Sequence, residues 1–194
     1  AGLADGTIDL QANGTMGGDV YVNGNVTATH GAITLAADDS VTVQGTLSAQ
    51  NNIQVATTRD ALFIAGSVLS SQGSVLVQTA VAAGAIAPTT LHIGGDVEAA
   101  TTITLQANVF NGDPGLLTVG GHLLAGGAIL VDNDVAGVDI GSTVTSTGST
   151  VTIKGATVAL GGTVTGSGTV SLLSYSGDID VTGSVISTGA GVSV

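Results

Sequence analysis

The sequence predicts an all-β fold: a right-handed parallel β-helix, or solenoid, with three short strands per coil and about eight full coils plus a partial ninth. Three observations predict it. A strand pattern recurs about every 23 residues from one end of the chain to the other. Glycine holds a fixed place within that repeat. The composition supplies aliphatic residues for a narrow core and almost no rings to fill a wide one. A unit of about 20–30 residues cannot bury its own apolar side, so it must stack on its neighbours.

The clearest copy is GAITLAADDSVTVQGTLSA, residues 31–49. Its first strand carries Ile33 and Leu35, its second Val41 and Val43, and its third Leu47 and Ala49. The first strand returns at Ile8, Ile53, Val75, Ile103, Ile129, Val151, Val170 and Val192. The second returns at Val20, Leu62, Leu91, Leu117, Val138, Val158 and Ile179, and the third at Val26, Val68, Val97, Leu123, Val144, Val164 and Val185. Alternation of apolar and polar residues over four to six positions has strand period, not helix period. An antiparallel sandwich would pair each strand with its immediate neighbour. Here each strand matches its counterpart one repeat later. The column Gly24, Gly45, Gly66, Gly95, Gly121, Gly162 and Gly183, with Ser142 as its one departure, marks a corner where stacked backbones approach closely. Right-handedness follows from the rule for parallel crossovers.

Inward positions are aliphatic or small; the last before each new coil reads Ala28, Ala49, Ser70, Ala99, Ala125, Ser146, Gly166, Ser187. The outward column of the second strand reads Tyr21, Thr42, Phe63, His92, Thr118, Asp139, Ala159, Asp180, which puts Tyr21 and Phe63 on the surface. Two coils carry longer connections at one corner, residues 80–90 and 108–116, the second containing Phe110. Insertions at one corner of a solenoid are a common place for a binding surface. Tyr21, Phe63 and Phe110 are the candidate contact residues.

Composition bounds the function. The chain of 194 residues has 31 Gly, no Trp or Cys, two Phe, two Tyr and 8% charged residues, with 43% hydrophobic content. Its net charge is −12, and Arg59 and Lys154 are its only Lys or Arg side chains. Phosphate binding needs clustered basic residues, so nucleic acid and anionic membranes are not expected partners. No apolar run approaches the roughly 18 residues of a membrane span. The opening AGLADGTIDL lacks the pattern of a signal peptide and reads as a mature product or an excised segment.

The sequence does not predict an enzyme. Serines occur in no nucleophile elbow, and Gly-rich runs are followed by no lysine or helix that would hold a phosphate. Glycoside hydrolysis needs facing carboxylates, but Asp139 and Asp180 are two coils apart with Ala159 between them. His30 lies at the turn into the second coil; His92 and His122 occupy different columns one coil apart, with no third metal ligand evident. No cofactor is expected beyond weak calcium candidates at Asp132, Asp134 and Asp139, in a run that has glycine at its sixth position but lacks the closing glutamate of an EF-hand. The outward column Thr27, Ser48, Leu69, Glu98, Leu124, Thr145, Thr165, Ile186 is too interrupted for a flat threonine rank that would bind ice.

Neither end of the sequence reads as a cap: it starts just ahead of a first strand and stops at GVSV inside another. The expectation is one β-helical domain over residues 1–194 that continues into flanking coils of a longer chain or stacks on copies of itself. With its columns written out, the chain resembles the β-helical shafts of filamentous-haemagglutinin-like exoproteins, large adhesins secreted by the two-partner route. The residues that carry the resemblance are GGDVYVNGNVTA (17–28), GAITLAADDSVTVQGTLSA (31–49) and STVTIKGATVALGGTVTG (149–166). The Asn-Pro-Asn motifs of that family's secretion domain are absent, since Pro88 follows Ala87 and Pro114 follows Asp113. The resemblance implies a structural rod at the cell surface or outside the cell, serving adhesion, biofilm matrix or contact between cells. The alternative is a binding module that recognises a glycan or protein receptor through the two long loops.

Overall fold

The computed structural model describes residues 6–14, 17–80, 90–108, 115–133 and 135–194. Among them every strand pairs in parallel with its counterpart one coil away, which builds three sheets of nine, eight and eight strands. The first sheet runs from Ile8–Ala12 through Ile33–Ala37 and Ile103–Asn108 to Val192–Ser193. The second runs from Val20–Val22 to Ile179–Val181, and the third from Val26–Ala28 to Val185–Ser187. Neighbours within a sheet are always three strands apart in sequence, so each coil contributes one strand to each sheet. The fold is a parallel β-solenoid of about eight turns. At the usual strand spacing of about 4.8 Å it rises to roughly 40 Å.

Alternation decides which side chains enter the core. In the second coil Ile33, Leu35, Val41, Val43 and Leu47 are all 0% exposed, while the alternate strand residues Thr34, Ala36, Thr42 and Ser48 face outward. Each inward residue packs against its equivalents in the coils on either side, so Val, Ile and Leu form continuous columns. Branched side chains suit a pleated face of this kind, and each one fully buried is worth about 1.5–3 kcal/mol. The first strand is longer than the other two and has a third inward position, which reads Ala37, Thr57, Thr79, Ala107, Asn133 and Gly155. This column is hard to see in the sequence because it is largely small or polar.

The corner glycines owe their place to close approach. A Cβ on Gly66 would stand 2.8 Å from the carbonyl carbon and oxygen of Gly45, and one on Gly183 would stand 2.6 Å from the carbonyl carbon of Gly162. The backbone there bonds from coil to coil: Gly95 N–H donates to Gly66 O at 3.1 Å, and Gly121 N–H to Gly95 O at 3.2 Å. Gly24 differs, with φ of 144° and no neighbour within 4 Å, so its requirement is conformational. Ser142 carries a side chain at this place, and nothing in the structure explains the departure. A second glycine column stands immediately ahead of the first, at Gly94, Gly120, Gly141 and Gly161, each against the carbonyl oxygen of the coil before.

Candidate functional site

The residue after each corner glycine immediately precedes the third strand. After Gly24, Gly45, Gly66 and Gly95 its side-chain oxygen accepts the backbone N–H of the equivalent residue one coil on. Asn25 Oδ1 accepts from Thr46 N at 2.9 Å, Thr46 Oγ1 from Ser67 N at 3.4 Å, and Ser67 Oγ from Asp96 N at 3.1 Å. Asp96 Oδ1 accepts from His122 N at 3.0 Å. This side-chain ladder fixes the Asp96 carboxylate directly beside the next coil, where the residue is a histidine.

The result is a three-residue cluster on the outer surface. His122 Nδ1 lies 3.0 Å from Asp96 Oδ1, and His122 Nε2 lies 3.0 Å from Glu98 Oε1. Glu98 is the central, outward residue of the strand Val97–Ala99, two positions beyond Asp96. Ligand atoms from all three residues lie within 4.8 Å of one another, and all three side chains are partly buried. Glu98 also joins the lining of an open surface groove with Thr27, Ser48, Gln50, Leu69 and Ser71.

The sequence shows no third ligand for His92 and His122; the structure corrects this for His122, whose companions are carboxylates of the preceding coil. His92 belongs elsewhere. It stacks on Phe63 with ring centroids 4.9 Å apart and 16° between planes, and its Nδ1 lies 2.6 Å from Thr118 Oγ1. The whole outward column from Tyr21 to Asp180 has the register read from the sequence. Tyr21 is 65% and Phe63 38% exposed.

Of the calcium candidates, Asp132 and Asp139 stand on different sheets. Asp132 stands on the first sheet opposite Lys154, whose Nζ donates to Asp132 Oδ2 at 3.2 Å. Asp139 is exposed on the second sheet between Thr118 and Ala159. Asp134 lies outside the described residues, as do Phe110 and the loop residues 81–89 and 109–114.

Most of the buried polar side chains hold corners together, while Thr79 Oγ1 and Asn133 Oδ1 are buried without a hydrogen-bond partner. Asn133 Nδ2 donates to Gly115 O at 3.1 Å and to Gly137 O at 2.9 Å. Thr57 Oγ1 donates to Asp60 O at 2.9 Å. Ser146 Oγ donates to Gly127 O at 2.6 Å and accepts from Ser149 N at 3.1 Å. Ser70 makes the equivalent pair of bonds to Asn51 O and Gly73 N, and Ser187 to Gly168 O and Ala190 N.

Comparison with family models, curated proteins and solved structures returns no match to the chain. Fold and side-chain geometry therefore carry the functional reading.

Proposed function

We propose that the chain is a section of a structural β-helical rod, exposed at a bacterial cell surface or outside the cell, in the manner of the shafts of filamentous-haemagglutinin-like exoproteins. One observation carries the reading: three hydrogen-bonded ladders run side by side through all eight coils around one continuous aliphatic core. In such a body the hydrogen bonds lie along the rod axis and the covalent chain runs around it. Bending then strains all three ladders at once. The same reading assigns partners to the ends of the ladders. Ile179, Val181 and Val185 are packed against the core yet partly exposed, and their strands are paired on one side only. Unpaired strand edges template further strands, so further coils in register, from flanking chain or from another copy, are the partners that fit.

Pulling on the two ends of the chain in a force microscope tests the rod. Peeling one coil at a time should give a regular sawtooth, with steps of about 75 Å for a repeat of about 23 residues in extended chain. Smooth extension at low force, or a single collapse of the whole body, would sink the proposal.

A second reading, receptor or glycan binding, has the aromatic surface of Tyr21 and of the Phe63–His92 stack in its favour, since aromatic side chains are enriched where binding energy concentrates. Glycan-array binding that disappears on deletion of residues 80–90 would promote it.

A further inference from the structure

We propose that Asp96, Glu98 and His122 form a binding site for a zinc-class divalent cation, which staples two adjacent coils across the corner between the second and third sheets. The inference goes beyond the rod reading and stands without it.

Three features lead to it. The first is the donor set, two carboxylates and one imidazole with ligand atoms within 4.8 Å of one another. Imidazole suits zinc and the later first-row metals, whereas calcium and magnesium sites are built from oxygen alone. The nitrogen-to-oxygen spacings of 3.0 Å are close to the separation of neighbouring ligands around a tetrahedral zinc ion, about 3.3 Å for metal–ligand bonds near 2.0–2.1 Å. The two contacts engage different ring nitrogens, so an ion would take one of them, with the ring and carboxylates rearranging around it.

The second feature is charge. Both ring nitrogens of His122 face carboxylate oxygens. The Asp96 and Glu98 carboxylates bring oxygen atoms within 4.8 Å of each other, and like charges at that range repel. A cation shared by the three groups removes that conflict. The chain itself has little to offer in its place: Arg59 and Lys154 are its only Lys or Arg residues, and Lys154 stands against Asp132. A net charge of −12 also raises the local concentration of cations around the rod.

The third feature is preorganisation. Asp96 is held by the His122 backbone N–H at 3.0 Å, and Glu98 sits on a strand paired on both sides. The corner ladder thus positions two ligands before any ion arrives. The side chains are about one-third to two-fifths exposed, with relative areas of 34%, 42% and 44% for His122, Asp96 and Glu98. Water can therefore complete the coordination, and an ion can enter without opening the fold.

The test is calorimetric titration of the full chain with ZnCl2 and, separately, CaCl2, combined with NMR of the histidine rings. The site predicts one saturable zinc equivalent, a rise in Tm with zinc, and movement of the His122 ring resonances while those of His30 and His92 stay in place. It predicts much weaker binding of calcium. Both His122→Gln and Glu98→Gln should weaken zinc binding at least about tenfold, the lower end of what loss of a supporting residue costs a metal site. His92→Gln should leave it unchanged. Glu98→Gln preserves shape at a surface position, so it stays informative if the histidine variant folds poorly. Absence of saturable zinc binding overturns the proposal. So does zinc binding that moves the His30 or His92 ring in place of His122, or that survives both substitutions at the cluster.

Discussion

Glycine at a corner does different work at different coils. At Gly66 the obstacle is the neighbouring backbone, with Gly45 carbon and oxygen at 2.8 Å from a would-be Cβ. At Gly24 nothing is near, and φ of 144° is the obstacle. Gly66→Ala should therefore destabilise by about 1–3 kcal/mol through displaced backbone, and Gly24→Ala by a similar amount, about 1–3 kcal/mol, through strain. Denaturant unfolding of both variants checks the magnitudes. The mechanisms separate by NMR: chemical-shift changes should spread into the preceding coil for Gly66→Ala and stay local for Gly24→Ala. Asp19 gives a second prediction at this scale. Its carboxyl is held below the ordinary value of 3.8 by the hydroxyl of Ser40, at 2.6 Å, and then by the Ser40 backbone N–H, at 3.0 Å. A depressed carboxyl stabilises the fold above the unfolded value, and that contribution is lost as pH falls from about 3.8 through the lower folded value. Asp19→Asn should flatten the loss of stability across that acid range and leave the rest of the pH profile unchanged. A profile with an unaltered acid limb would refute the assignment.

At the scale of an element, the third strand and the corner that follows it are joined by one serine in several coils. Ser146 accepts the amide of Ser149 and donates to Gly127 O, which lies in the coil before. Ser146→Ala removes both bonds inside a nearly dry corner, so the loss should be about 1–3 kcal/mol. Ala125, the matching residue of the previous coil, is already an alanine. Its reverse substitution, Ala125→Ser, tests whether the hydroxyl stabilises any corner or only one already shaped for it. The pattern in the sequence put Ser70, Ser146 and Ser187 on an inward column, and the structure agrees. What the pattern did not convey was that an inward hydroxyl there meets backbone groups rather than aliphatic side chains.

For the whole molecule, quasi-one-dimensional architecture makes stability a property of neighbours. Interior coils are packed on two sides, and their core residues, such as Leu62, Leu91 and Leu117, are 0% exposed. The last strands are exposed on one side, with Ile179, Val181 and Val185 only partly covered. Native-state hydrogen exchange should therefore show a gradient: amides of residues 53–64 and 117–131 protected most, and those of residues 179–194 exchanging first. Uniform protection along the chain would mean a single cooperative block. If end-to-end association occurs as proposed, raising the protein concentration should slow exchange at residues 179–194 selectively.

The sequence by itself determined the architecture. Strand period is two, the repeat is close to constant, and a repeat too small for its own core can only stack, so columns written on paper became columns in space. Tyr21, Phe63 and His92 fell into one register for that reason. Only the tertiary structure decided what the corners bring together. Along the corner ladder, Asn25, Thr46 and Ser67 are 21 residues apart, but Asp96 follows Ser67 by 29 and His122 follows Asp96 by 26. The glycine column nevertheless runs through Gly95 and Gly121, so Asp96 and His122 can be placed beside it from the sequence. What the sequence does not show is that Asp96 turns its side chain onto the next coil, which with Glu98 brings two carboxylates onto the His122 ring. The interior polar column through Thr57, Thr79 and Asn133 was hidden for another reason. Polarity reads as an outward signal in a strand, but at a bend the interior presents bare carbonyl groups; Thr57 and Asn133 donate to them, while Thr79 Oγ1 is buried without a partner.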